Sequence, residues 1–169
     1  MNEIEVLIQP KIPALRRYAF ALTRDNDLAD DLVQDCLEHA VRRWHIRAAD
    51  ENLRAWLFAI LHNVFISHVR YCSRRGAQVD FTCMEDPPSR DGVQERRLEV
   101  RDALSGLAQL PAEQRDVLLL VGVEEMSYAE AAQVLGIPIG TVMSRLSRGR
   151  EGLRRILETG QAETLRSVK

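Results

Sequence analysis

Between Leu53 and Cys72 the sequence reads LRAWLFAILHNVFISHVRYC, and its apolar residues return at helical intervals for about five turns. Leu53, Trp56, Leu57, Ile60, Leu61, Val64, Phe65 and Val69 share one face, which a strand could not bury and an amphipathic helix can. Residues 28–43 repeat the device. Leu28, Leu32, Val33, Cys36, Leu37, Ala40 and Val41 fall opposite Asp30, Asp31, Gln34, Asp35 and Glu38. An earlier segment, IPALRRYAFALTR, groups Leu15, Tyr18, Ala19 and Leu22. Three such helices can enclose one small core. No strand-like alternation of useful length occurs anywhere, so the chain is expected to be all-α.

The periodicity stops after Cys72. SRRGAQVDFTCMEDPPSRDGVQ holds Gly76, Pro87, Pro88 and Gly92, a concentration of breakers. This predicts two small helical domains, 1–72 and 95–169, joined by a flexible linker at 73–94. Helical spacing resumes near Glu95 and runs to about Leu110. Pro111 suits the first turn of the next helix, where its missing N–H costs nothing. Ser127 and Glu130 have the spacing of a capping box opening the helix YAEAAQVL, and Gly136 suits its left-handed stop. Pro138 then precedes IGTVMSRLSRGREGLRR, a last helix of about eighteen residues.

Two helices joined by a tight glycine turn are the outline of a helix-turn-helix, whose second helix enters the major groove. Ile139, Val142, Leu146, Leu153 and Ile156 form the stripe expected to be buried. Thr141, Ser144, Arg145 and Arg148 form a second stripe expected to face outward, where arginine can bond bidentately to guanine and a hydroxyl can meet a base edge or phosphate. Arg150, Arg154 and Arg155 lie further along, suited to phosphates.

The charge distribution agrees with a polyanion partner, although the formal net charge of the 169 residues is only −2. Residues 44–76 carry a net +3 and residues 128–157 another +3, with −6 across residues 77–127 between them. The local islands, not the total, are the relevant footprint. The first island gathers Arg70, Arg74 and Arg75 where the long helix ends. Asn63, Ser67 and Arg70 lie off its apolar stripe, a second candidate nucleic-acid surface.

Other chemistries have little to stand on. His68 and Cys72, or Cys36 and His39, give two ligands at helical spacing, and two do not make a zinc site. There is no phosphate-binding glycine loop and no nucleophile–base set, so no enzyme, cofactor or metal is expected. Three widely spaced cysteines, with no secretory signal and no apolar run of membrane-spanning length, suggest a reduced cytoplasmic protein without membrane insertion.

ADDLVQDCLEHAVRRW followed by LRAWLFAILHNVFISHVR resembles region 2 of the extracytoplasmic-function (ECF) sigma factors of bacterial RNA polymerase. LPAEQRDVLLL with SYAEAAQVLGIPIGTVMSRLSRGREGLRR resembles region 4 of the same group. The resemblance covers both blocks in order and all but the extreme ends of the chain. It implies an alternative sigma factor that binds core RNA polymerase and directs promoter-specific initiation, of the kind that serves stress responses. Region 2 would dock on the clamp helices of the largest subunit through Asp31, Gln34, Asp35, Glu38 and Arg42. It would capture the −10 element through the loop from Trp44 to Asn52 and through Asn63, Ser67, Arg70, Arg74 and Arg75. Region 4 would sit on the polymerase flap and read the −35 element through Thr141, Ser144, Arg145, Arg148 and Arg150. An anti-sigma factor that covers these faces is also implied.

The sequence departs from that pattern in places. Met143 stands where the family usually has Lys or Arg, and His62 where Arg is common, which would make charge at that edge pH-dependent. Gly149 and Gly152 replace helix formers, so the end of the recognition helix is expected to fray, at about 1 kcal/mol per exposed glycine. Two alternatives remain beside the sigma reading: a stand-alone helix-turn-helix regulator, and a sigma mimic that sequesters an anti-sigma protein without reading DNA.

Overall fold

The computed structural model describes residues 3–47, 52–76 and 94–167. Among them all regular structure is helical. Helix α1 spans Glu3–Ile8 and passes through a 3-10 turn (Gln9–Lys11) into α2, Ile12–Thr23. Helices α3 (Asn26–Arg43) and α4 (Leu53–Arg74) complete the N-terminal bundle. The C-terminal group is α5 (Gln94–Gln109), α6 (Ala112–Leu118), α7 (Tyr128–Leu135) and α8 (Ile139–Ser167). Residues 77–93, most of the expected linker, and residues 48–51 of the expected −10 loop lie outside the described residues.

The N-terminal core forms as the periodicity requires. Leu15, Tyr18 and Leu22 of α2 meet Leu32, Val33 and Cys36 of α3 and Leu57, Phe58, Leu61 and Phe65 of α4, all buried. The Tyr18 and Phe58 rings pack tilted, their centroids 5.3 Å apart. Cys36 donates to the Leu57 carbonyl, and burial pushes its thiol up to about 12, so it is a packing residue without thiolate character. Local punctuation also follows the sequence. Asp25 caps α3 by accepting from Leu28 N at 2.9 Å, and the Asn52 side chain caps α4 through the N–H groups of Arg54 and Ala55. The α3 stripe is narrower than expected, since Val41 is exposed.

In the C-terminal group the Ser127–Glu130 capping box is present, each side chain accepting the other's backbone N–H. Gly136 ends α7 in the left-handed region at φ 64°. Replacing Ser127 by Ala is expected to cost about 1 kcal/mol (range about 0.5–2) in urea unfolding, with Ser127→Asp retaining most of it. An Ala variant as stable as the parent would show that the box contributes nothing.

Three expectations are corrected here. Pro111 sits at the N-cap of α6 with extended ψ (138°), not in its first turn. The segment after α6 does not continue as α-helix: Leu119–Val123 widens to a π-helical turn, with Glu124 N donating to Leu119 O. The α8 helix does not end early at its glycines but runs 29 residues. Gly149 is buried against α6, where a Cβ would lie 2.9 Å from Leu118 Cδ1 and 3.2 Å from the Gln114 carbonyl oxygen. Gly152 faces Leu110 in the same way, at 2.8 Å from Cδ2. These residues let two helices approach closely, so the helix-propensity loss is offset by packing.

Candidate nucleic-acid interface

Helices α7 and α8 form the helix-turn-helix around Ala131, Val134, Val142 and Leu146, which are buried. The first turn of α8 is fixed by the amides of Thr141 and Val142 bonding the Pro138 carbonyl. Ser144, Ser147, Arg148 and Arg150 are exposed on the outward side of α8. Thr141 and Arg145 lie nearer its buried edge. The Arg145 side chain is 23% exposed and ion-paired with Glu113 of α6 at 3.1 Å. It is therefore not presented freely to solvent, as the outward stripe suggested, but held by a carboxylate in the absence of DNA. Ile139, expected in the core, is 48% exposed because it opens the helix beyond the edge of the α7 contact. Met143 is 53% exposed beside Ser144 and Ser147. Glu151 pairs with both Arg154 and Arg155, which reduces their availability to phosphates.

The second basic face runs along the outer side of α4. Asn63, Ser67, Arg70, Arg74 and Arg75 are all exposed. Arg74 Nε donates to the Arg70 carbonyl, and the Arg75 guanidinium lies 4.6 Å from the Tyr71 ring centroid. A groove of about 360 Å³ between α3 and α4 borders this face and is lined in part by Asp35, His39, Arg43, Asn63, Ser67 and Tyr71. On α3, Asp31, Gln34, Asp35, Glu38 and Arg42 are exposed together, with Glu38 and Arg42 paired at 3.5 Å. Trp44 and Trp56 meet edge to face with their ring centroids 6.2 Å apart.

His62 does not supply charge at this edge. It is buried, with Nδ1 3.2 Å from the Tyr18 hydroxyl, and burial pulls it below its ordinary value of 6.5. Asp116 nearby raises it and Arg115 lowers it, both as smaller effects. Burial pushes the Tyr18 hydroxyl well up, so it stays protonated and can donate to the ring. The unfolded chain consequently takes up the His62 proton first. Stability contributed by neutral His62 is complete above about pH 6.5 and falls as pH drops below it. Asp116, raised by burial, works in the opposite sense, its protonation favouring the fold at low pH. Comparison of the parent with His62→Gln isolates the histidine: the parent should lose stability from pH 7 to pH 5.5 more steeply than the variant in thermal unfolding. Equal slopes would show that His62 is not held neutral.

Several contacts join the two helical groups, most of them through residues that the sequence does not single out. Glu124, between α6 and α7, has no side-chain exposure. It receives Arg17 Nε at 2.8 Å and Arg17 Nη2 at 2.7 Å. Arg54 also reaches its carboxylate and donates to its carbonyl oxygen. Asn52 donates to Glu130 at 2.6 Å. The buried pair Arg115–Asp116 faces α4, with the Arg115 guanidinium 5.9 Å from the Phe65 ring. No local pattern marks the Arg17–Glu124 pair, since the two are 107 positions apart.

Fold and surface define a class: an all-α protein of two small domains, the second built on a helix-turn-helix and each with an exposed basic face. The comparisons narrow it. Residues 8–62 match the Sigma2 domain of PhyR and residues 101–153 match Sigma-70, region 4. The chain is 38% identical over 152 residues to the ECF RNA polymerase sigma factor EcfG of Rhodopseudomonas palustris, covering 90% of this chain and 83% of that one. It is 33% identical to the ECF RNA polymerase sigma factor SigC of Mycobacterium tuberculosis, over 79% of this chain and 72% of the relative. Among solved structures, the sigma factor RpoE in complex with the anti-sigma factor NepR from Bartonella quintana is similar with a TM-score of 0.79 and 35% identity, over 94% of this chain and 98% of that one. CnrH in complex with the cytosolic domain of CnrY follows at 0.71 and 27%, over 92% and 88%. The chain belongs to the ECF RNA polymerase sigma factors, which regulate transcription and are not enzymes. The sigma-mimic alternative is not favoured: PhyR structures share only 21% and 17% identity with it and show the fold alone.

Proposed function

We propose that residues 1–72 act as region 2 and residues 95–169 as region 4 of an initiation factor that reads a promoter at two places. The observation that carries this reading is the pair of exposed basic faces, Arg70–Arg74–Arg75 on α4 and Arg148–Arg150 on a helix-turn-helix. Ser144, Arg145 and Arg148, with Thr141 and Arg150 at the margins, meet the −35 element as duplex in the major groove. Asn63 and Ser67 meet the −10 element, and Arg70, Arg74 and Arg75 hold the displaced strand through its phosphates. Unstacking a base costs a few kcal/mol, which contacts to the opened strand must offset.

The acidic patch Asp31, Gln34, Asp35 and Glu38 with Arg42 is the docking face for the clamp helices of the largest polymerase subunit, and region 4 rests on the flap. Two weak half-contacts held on one polymerase gain by effective concentration. An anti-sigma factor as further partner is supported by the similar sigma factor RpoE, solved in complex with the anti-sigma factor NepR. The site of action is the cytoplasm, where polymerase and promoter are. No helix among the described residues is long and apolar enough to cross a membrane.

In vitro transcription with core polymerase tests the reading. Addition of the protein should direct initiation from promoters carrying one −35 and one −10 sequence. Failure to bind core, or activity that needs only the C-terminal domain on DNA, would favour the stand-alone regulator instead.

A further inference from the structure

A helix-turn-helix sends the N-terminal half of its second helix to the base edges of the major groove. Across the first turns of α8 the outward positions are Gly140, Met143, Ser144, Ser147 and Arg148, spaced three and four apart and all exposed. Gly140 has no side chain, and a Cβ there would touch nothing within 4 Å, so the backbone can come close to whatever lies opposite. The two serines are short, and Ser144 Oγ already donates to the Thr141 carbonyl at 3.1 Å. Arg145 is held by Glu113. Met143 is therefore the longest side chain on this face ahead of Arg148, and it is 53% exposed.

A base edge in the major groove offers donors, acceptors and a single apolar group, the C5-methyl of thymine. Methionine has no N–H or O–H to donate, and its thioether sulfur is only a weak acceptor. We propose that Met143 is a specificity-determining residue, selecting thymine at one position of the −35 element by packing on its methyl group. The inference rests on the −35 reading above and deepens it.

A solitary exposed methionine would need no explanation, because folded surfaces carry many apolar atoms. Met143 is not solitary. Ile139, also exposed, lies one turn earlier on the same side of α8. Tyr128 and Leu146 line with Met143 a groove of about 560 Å³, which Ser147 and Arg150 also border. An apolar strip thus runs beside the hydroxyl and guanidinium groups suited to phosphates and base edges. The unbranched thioether chain can adjust to a methyl group that a stiffer side chain would miss. A cation at this place would instead seek phosphate or guanine, and would not separate thymine from uracil.

The test uses the full chain on core polymerase, with promoter duplexes randomised across the −35 element. Each thymine of the preferred element is then replaced singly by deoxyuridine, which lacks the C5-methyl and keeps the same hydrogen-bonding edge. At one position the parent should bind the uracil duplex about fourfold more weakly, the effect of one methyl group returned to water. Met143→Ala should bind the thymine duplex about as weakly as the parent binds the uracil one, and should not distinguish the two. Met143→Lys should lose the same distinction while its salt dependence steepens by about one phosphate contact. Met143 is exposed, so both variants should fold as the parent does, which circular dichroism checks. A preferred element without thymine on either strand, or a uracil effect of equal size in Met143→Ala, would overturn the proposal. A uracil effect that vanishes in Thr141→Ser but persists in Met143→Ala would place the contact on the Thr141 methyl group and overturn it as well. If the holoenzyme shows no −35 preference at all, the promoter reading itself fails. A −35 preference with no uracil effect defeats the Met143 assignment alone.

Discussion

A Phe58→Ala chain is expected to lose about 3–5 kcal/mol of unfolding free energy, the largest effect of any single change considered for this protein. Phe58 is fully buried on α4 and packs against Tyr18 of α2, so its removal opens a cavity where two helices cross. The surrounding side chains are themselves buried and cannot collapse without moving the helix axes. The loss is a large share of the 5–15 kcal/mol that typically holds a folded chain together. Urea denaturation monitored by circular dichroism measures it directly. A cost below about 1 kcal/mol would mean that the three-helix core relaxes around the void and that Phe58 does not anchor it. The substitution also removes the ring beneath Arg54, so the contact with Glu124 should loosen alongside.

Arg145→Ala is expected to have the largest effect on promoter recognition, about 1–3 kcal/mol if the guanidinium meets guanine bidentately. Binding of the holoenzyme to promoters altered one base pair at a time in the −35 element provides the measurement. The variant should weaken binding and relax preference at one position. A uniform loss over all sequences would instead make Arg145 a phosphate contact. The Glu113 ion pair sharpens the expectation, because DNA must draw the guanidinium away from a carboxylate that holds it at 3.1 Å. Glu113 is itself largely exposed, and pairs of that kind contribute little, so the exchange costs little. Glu113→Gln should therefore change affinity by less than Arg145→Ala.

The amphipathic helices α2, α3 and α4, the two ends of α7 and the helix-turn-helix were legible because each is encoded within a few residues, whereas α1 and the π turn after α6 were not. Apolar spacing in α3 and α4, the Ser127–Glu130 box and the αL glycine at 136 are all local instructions, and the structure carries them out. The exposed basic and acidic positions on α3, α4 and α8 followed from the same periodicity. What failed were inferences about how a residue's face is used. Gly149 looked like a weak point in a helix, and its role appears only when Gln114 and Leu118 of α6 are laid against it. His62 looked like an edge charge until Tyr18, 44 residues earlier, was placed beside its ring.

The sequence by itself determined an all-α chain, the apolar stripes of α2, α3 and α4, the start and stop of α7, and which sides carry charge, because secondary structure reads out short-range spacing and termini. Only the tertiary structure decided that Arg145 is held by Glu113, that the glycines of α8 are packing sites, and that Glu124 is gripped by Arg17 and Arg54. Those facts depend on pairs of groups distant in sequence. A buried carboxylate is stable only where the folded chain brings counter-charges to it.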